Sequence, residues 1–291
     1  MLGAALACWG SVIPAEAQGL LWNLPEDGTW VRYYGTTKNV QERPESSEGA
    51  LELTWLSELT IKSVGKETVE IDGAPAECRW IEFKLVNGYQ SAGGIQPGPY
   101  GTRIYKVLVP EAKVLGKLVD GDDIPATFIP IVKGFRKVGT QEAQPVSEKV
   151  LAVYPMLSLF AYYRDFAQDG DAAEDVNLPQ LGSVSAKAFK GSQILEGPVS
   201  RSDNKGEIWL TSDVPFGWAK YHVNLVREEK ESSAPRNEFK KTAELDVTME
   251  AVEKGTDAQS EIDGAAEAPP IADEKPAKKA ATPPVEKPEQ E

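Results

Sequence analysis

The sequence predicts an α+β domain: a strongly curved antiparallel sheet, a half-barrel, carrying a helical insertion as its lid. Three observations predict it. Long segments alternate apolar and polar residues with a period of two. The middle of the chain changes to three- and four-residue spacing. Both ends of the 291 residues differ in composition from what lies between them.

At the N-terminus, MLGAALACWGSVIPAEAQ reads as a secretory signal. Leu2 to Ile13 is apolar yet too short to span a bilayer, and Ala15-Glu16-Ala17 supplies a small-x-small cleavage pattern. Residues 1–17 are therefore expected to be removed, giving an exported chain, periplasmic or secreted, that starts at Gln18. A lipid anchor at Cys8 has too little apolar length before it. With Cys8 gone, Cys78 is the only thiol, so no internal disulfide forms and the core alone must stabilise the domain.

Residues 18–254 form the sheet domain. Trp30 to Gly35 opens it as a strand. In LELTWLSELTIK, Leu51, Leu53, Trp55, Leu59 and Ile61 alternate with Glu52, Thr54, Glu58, Thr60 and Lys62, a strand with one buried and one wet face. AECRWIEFKLV is also extended, but its apolar phase slips between Trp80 and Ile81. A bulge or a strand covered on both faces explains that. The Gly- and Pro-rich run from Gly88 to Tyr105 reads either as a lid or contact surface or as a long hairpin connection. Further strands are expected at Arg103 to Val109, Ser183 to Lys190 and Glu207 to Thr211. Turn clusters fall at Asp72-Gly73, Asn87-Gly88 and Ser202 to Gly206.

Asp123 to Val138 and Ser147 to Asp165 have helical character, broken by Pro130 and Pro155. In the second, Leu151, Tyr154, Leu157, Phe160 and Ala161 recur at helical spacing. These segments are the expected lid. Later, Ser212-Asp213-Val214-Pro215-Phe216-Gly217 makes an apolar corner: Asp213 caps a turn, Pro215 fixes φ and Gly217 permits a sharp change of direction. Phe216 is expected to turn inward, either into a packed corner or, with Trp218, at the rim of a cavity. Ala219, Tyr221, Val223 and Leu225 then alternate as a strand, as do Ala243, Leu245, Val247 and Met249. From 255 to 291 the chain is Ala-, Pro-, Glu- and Lys-rich without aromatics, the composition of a disordered tail.

The net charge of -14 excludes nucleic acid as a partner and disfavours attachment to an anionic membrane, since both need clustered cations. No segment of the mature chain reaches transmembrane length. With 7 Trp, 9 Tyr and 8 Phe the domain has ample material for a core. Catalytic sets are missing. The single His222 sits on the polar side of its strand, no G-x-S-x-G elbow is present, and neither phosphate-binding glycine motif occurs. A Cys78–His222 dyad would place its nucleophile in an apolar strand, where thiols are inert. Acidic loops at Asp120 to Asp123 and Asp169 to Asp175 offer oxygen ligands but miss the calcium-loop register: counting Asp169 as the first position, the sixth is Glu174 and the twelfth is Gln180. No metal, no cofactor and no enzymatic activity are expected. No carboxylate pair stands out for glycoside hydrolysis.

The corner from Ser212 to Gly217, the export signal, the amphipathic strands and the helical insertion together resemble the lipoprotein-localisation carriers of the bacterial envelope, the LolA/LolB-like superfamily. The resemblance spans residues 20–253 in strand plan. It implies an incomplete antiparallel barrel whose helical lid covers an apolar cavity for acyl chains. It transfers no individual residue, because such cavities are lined by scattered apolar side chains. This chain departs from that family in its acidic tail and its acidic, proline-broken insertion.

The function expected is therefore an exported, non-enzymatic envelope protein holding a lipid or acyl ligand against the concave face. Trp55, Trp80, Tyr154, Phe160, Phe216 and Trp218 are the candidate liners. The alternative is a structural or protein-interaction module with a filled core, an envelope partner and a tethering tail.

Overall fold

A computed structural model describes residues 21–71, 73–114, 131–146, 167–170 and 172–262. Among these residues twelve strands make one antiparallel sheet: β1 (Trp30–Gln41), β2 (Leu51–Ile71), β3 (Ala74–Ser91), β4 (Gly94–Pro110), β5 (Lys133–Val138), β6 (Gln144–Pro145), β7 (Ala167–Gln168), β8 (Glu174–Leu178), β9 (Gly182–Glu196), β10 (Ser200–Leu210), β11 (Trp218–Glu229) and β12 (Lys240–Gly255). Their spatial order is β6-β5-β4-β3-β2-β1-β12-β11-β10-β9-β7, and β8 pairs separately with β9. Most neighbours in the chain are neighbours in space, with one closure in which β1 pairs β12.

This corrects the expected α+β half-barrel. The sheet is open and not strongly curled, ending in the short edge strands β6 and β7, and the fold is all-β. Among the described residues the only helical pieces are 3-10 turns at Glu111–Lys113, Pro215–Gly217 and Arg236–Glu238. Of the expected helical lid, residues 133–138 form β5 instead, paired with Leu108 back to Arg103 on β4. Ile131, Phe135 and Val138 imitate helical spacing, but Gly134 between them is a poor helix former. Its backbone lies so close to β4 that a Cβ would come within 2.9 Å of Val107. Residues 123–130 and 147–165 lie outside the described residues.

The period-two segments pair as their alternation dictates. Directly opposed residues in an antiparallel ladder share a face. The row Ser57, Gly35, Met249, Tyr221, Ile208 and Phe189 therefore runs across one face, termed inner here. The main core lies on it: Val31, Tyr33, Leu59, Ile61, Ile81, Phe83, Leu85, Val107 and the β11 and β12 residues between Trp218 and Ala251. Strand β8 adds Val176 and Leu178 over this face, and Leu21 and Trp22 add two more buried side chains.

The opposite, outer face carries a smaller cluster of Cys78, Trp80, Ile104, Leu108 and Ile262. Strand β3 is thus buried on both sides, which explains the phase slip between Trp80 and Ile81. Turn propensity at Ser202 to Gly206 is overridden, since these residues pair with both β9 and β11 inside β10. The glycine-rich stretch after Gly88 is hairpin rather than lid, with Tyr89 opposite Gln96 and Ser91 opposite Gly94.

Segment Leu21–Thr29 is fixed at both ends. The Trp22 N–H donates to the Phe216 carbonyl at 2.9 Å and the Gly28 N–H to Ser63 at 3.1 Å. Between them, buried Arg79 donates to the Pro25 carbonyl at 2.9 Å, to Ser63 Oγ at 3.0 Å and to Glu111 at 2.8 Å. Such satisfaction is what makes a buried guanidinium tolerable. The C-terminal end, Thr256 to Ile262, turns back over the outer face of β1 to β4, although its composition matches the expected tail. Residues 263–291 lie outside the described residues.

Candidate functional site

Four of the six candidate liners are described, and the structure distributes them over three places; Tyr154 and Phe160 lie outside the described residues. Phe216 and Trp218 are fully buried, both 0% exposed. Phe216 takes φ +66°, and the reversal it starts with Gly217 (φ +93°) drives its ring into the core. Tyr33 stacks on Trp218 with 3.5 Å between ring centroids and 4° between planes. The Tyr33 hydroxyl donates to the carbonyls of Trp218 (3.2 Å) and Pro215 (3.3 Å). The corner is therefore packed, and these two residues are core rather than rim.

Trp80 belongs to the outer face. Its indole N–H donates to Glu67 at 3.0 Å, and the ammonium groups of Lys106 and Lys133 each lie 5.5 Å from its ring centroid. With Cys78, Ile104, Leu108 and Ile262 gathered around it as well, Trp80 is packed into the outer cluster and lines nothing on the inner face.

Trp55 lies on the inner face, beyond the packed core. Two rows cross the sheet there. The first runs Trp55, Thr37, Val247, Val223, Gly206 and Gly191; the second runs Leu53, Asn39, Leu245, Leu225, Asn204 and Gln193. Leu53, Trp55, Leu225 and Leu245 are only half-buried, unlike the residues nearer the corner. The facing pair Gly206 and Gly191 adds no side chain, so the first row ends in bare backbone. Within this patch the Thr37 hydroxyl is buried without any hydrogen-bond partner, and so is the Gln193 amide oxygen. Thr37 is 0% exposed. An unpaired buried hydroxyl costs about 1–3 kcal/mol unless something meets it.

The outer face over β9 to β12 is a polar ladder. Lys190 bridges Asp169 and Glu207, both at 2.9 Å. These two carboxylates hold its ammonium well above the ordinary lysine range. His222 Nε2 lies 2.8 Å from Asp246, and Asn224 donates to Glu244 at 2.8 Å. A shallow open groove of about 500 Å³ lies between these rows, lined by Lys190, Ser192, Lys205, Glu207, His222 and Asn224. Its charges are paired, with His222 against Asp246, Lys190 against Asp169 and Glu207, and Lys205 against Asp203. Cys78 is on β3, separated from β11 by three strands, or roughly 19 Å at ordinary inter-strand spacing. Burial, with help from Glu67, Glu77 and Glu111, pushes the Cys78 thiol up to about 11. That geometry rules out a Cys78–His222 dyad.

Among the described residues no group of three or more His, Cys, Asp or Glu side chains could hold a metal ion. No helix among them is long and apolar enough to cross a membrane. Of the acidic loops, Asp169 is committed to Lys190 and Glu174 accepts from the Trp209 indole, while Asp120 to Asp123 lie outside the described residues.

Thr37 and Gln193 escaped the sequence reading, because polar residues on the apolar phase of a strand look like ordinary interruptions. The register that places each of them on the inner face is not encoded locally, and it leaves three strands between them. No protein-family model matches the chain, and no curated protein matches it.

Proposed function

We propose that the chain is an exported, non-enzymatic protein that holds a lipid-like molecule against the inner face of its sheet, over Leu53, Trp55, Leu225 and Leu245. One observation carries this reading: a half-buried apolar patch continuous with the core surrounds a fully buried hydroxyl that has no partner. Ligand sites are mostly apolar surfaces with a few polar groups that fix orientation. Thr37 fits that role, because a hydroxyl or amide on an otherwise apolar ligand seated between Trp55 and Val247 would satisfy it; Gln193 lies on β9, with three strands between it and β1, and is out of reach of the same group. The site lies away from Phe216, Trp218 and Trp80, and it needs no barrel, since a flat sheet face presents the same rows.

Native mass spectrometry of protein exported and purified without detergent tests the reading. A co-purifying mass in the lipid range is expected, together with uptake of a fluorescent fatty acid that Leu245→Glu abolishes. A ligand-free mass combined with no uptake would sink it. Thr37→Val separates a binding role from a packing defect. It should weaken uptake while stabilising the ligand-free protein by about 1 kcal/mol in urea, as the orphaned hydroxyl is lost. Unchanged uptake would remove Thr37 from the site.

A further inference from the structure

The outer face carries a second feature, independent of the patch on the inner one. After β12 the chain does not leave the domain but crosses β1, β2, β3 and β4 as a strap. The Trp30 indole donates to Asp257 at 2.7 Å, and the Ala258 N–H donates to the Gly28 carbonyl at 2.8 Å. At its centre is Glu82, whose side chain is 0% exposed. That carboxylate accepts from the Ser260 hydroxyl at 2.8 Å and from the Glu261 N–H at 2.9 Å, and it pairs with Lys62 at 3.0 Å.

The next contacts read side chains. Glu261 is clamped between Lys62 (2.6 Å) and Lys84 (2.7 Å). Lys62 also donates to the Gln259 carbonyl at 3.1 Å, and Lys106 to the Ile262 carbonyl at 3.1 Å. Ile262, only 2% exposed, completes the cluster of Cys78, Trp80, Ile104 and Leu108.

These contacts have the form of peptide recognition. A buried carboxylate takes a hydroxyl and a backbone N–H, two lysines take the following carboxylate, and an apolar pocket takes the aliphatic residue after it. In a chain of net charge -14, Lys62, Lys84 and Lys106 stand together on one part of one face, with Glu82 answering Lys62 and Glu67 answering Lys133, and that excess of cations suits an anionic partner. A strap needed only for cover would require neither the sequence-specific clamp nor a fully desolvated carboxylate.

We infer that this lysine-rimmed groove is a docking site for an extended acidic peptide with a small hydroxyl residue, an acidic residue and a branched aliphatic residue in succession. The chain's own Ser260-Glu261-Ile262 occupies it in cis and holds it shut. Tethering gives this resident segment an effective concentration in the millimolar range, so a partner displaces it only by binding more tightly or by pulling on the strap.

The test uses the full chain with Ser260→Ala, Glu261→Lys and Ile262→Asp, which empties the groove, and a labelled peptide with the sequence of residues 256–263. The emptied chain should bind the peptide by fluorescence anisotropy, at least about tenfold more tightly than the wild type. Glu82→Gln in the emptied chain should weaken binding by about tenfold or more, the usual loss for hydrogen bonds to a charged group. Binding should also fall with added salt. A folded emptied chain that ignores the peptide, or takes a scrambled one equally well, overturns the inference. If the triple variant does not fold, hydrogen exchange of the wild type decides. Amides of 258–262 that open well before those of β2 and β3 support a displaceable strap, and exchange only on global unfolding overturns it.

Discussion

Phe216 holds a backbone conformation that side chains avoid, at φ +66° and ψ 0°. The left-handed region costs a non-glycine residue about 1–2 kcal/mol, yet three hydrogen bonds fix the corner here: Trp22 N–H to the Phe216 carbonyl, Gly217 N–H to Val214 and Thr211 N–H to Gly217. The strain is offset by the buried ring. This gives an unusual order of stabilities. Phe216→Ala should destabilise by about 3–5 kcal/mol, the usual cost of emptying a buried aromatic site. Phe216→Gly empties the same site but releases the backbone, so it should be more stable than the Ala variant by about 1 kcal/mol. Urea unfolding of the two variants checks this, and the ordinary order, Ala above Gly, would show that the reversal is not strained. The sequence indicated that Phe216 would point inward, since Pro215 and Gly217 flank it. The reversed φ was not legible, because an aromatic residue gives no sign of accepting it. Thr37 was illegible for a different reason: nothing near it in the chain shows that its neighbours across the strands are Trp55 and Val247.

Strands were legible wherever one face is wet and the other dry. Leu51 to Lys62, Ala219 to Leu225 and Ala243 to Met249 each fall within an observed strand, β2, β11 and β12. Legibility failed where two periods overlap. Around β5, Ile131, Phe135 and Val138 satisfy a helical spacing while the backbone from Lys133 to Val138 pairs with β4. The strap failed on composition: Asp257, Gln259, Ser260 and Glu261 are indistinguishable from a solvated tail until Glu82, Lys62 and Lys84 are brought beneath them. Gly35 marks another constraint of the element scale. It sits in the middle of β1, where a Cβ would fall 2.1 Å from the Thr248 carbonyl oxygen and 3.0 Å from the Met249 Cα. Backbone cannot swing aside as a flexible side chain can. Gly35→Ala should therefore force β1 away from β12 and destabilise by about 1–3 kcal/mol. Hydrogen exchange should speed up most in those two strands, which form the closure joining the two halves of the sheet. An unchanged urea midpoint would mean that the ladder can shift freely at this point.

Across the whole molecule, ionisation sets a window of stability with different groups at each end. On the acid side, burial raises the Asp27 carboxyl, but the Ser63 hydroxyl, the Gly65 N–H and Arg79 outweigh it and hold the group below its ordinary 3.8. Glu261 is likewise held below 4.5, with Lys62 and Lys84 overcoming its burial. A carboxyl lowered in the folded state contributes stability above its unfolded value, and that contribution is lost as pH falls through the folded value. Self-repulsion acts the other way, because a net charge of -14 at pH 7 shrinks on acidification. Stability should therefore hold or rise slightly from pH 7 to about 5 and fall below about 4. On the alkaline side the raised groups decide. Burial lifts the phenols of Tyr33 and Tyr221 well above 10.0 and the Cys78 thiol from 9.0 to about 11. Each contributes fully below its unfolded value, and that contribution is lost as pH rises through the folded one. Cys78 thus comes first, between 9 and 11, with the tyrosines following at higher pH. Lys62 is raised too, since Glu261 and Glu82 outweigh its burial, so the strap loosens only above 10.5. Urea midpoints measured from pH 3 to 11 should show a plateau ending near pH 9, and Cys78→Ala should move that alkaline edge upward. A decline that began between pH 7 and 9, or an edge that Cys78→Ala leaves in place, would show that some other group sets it.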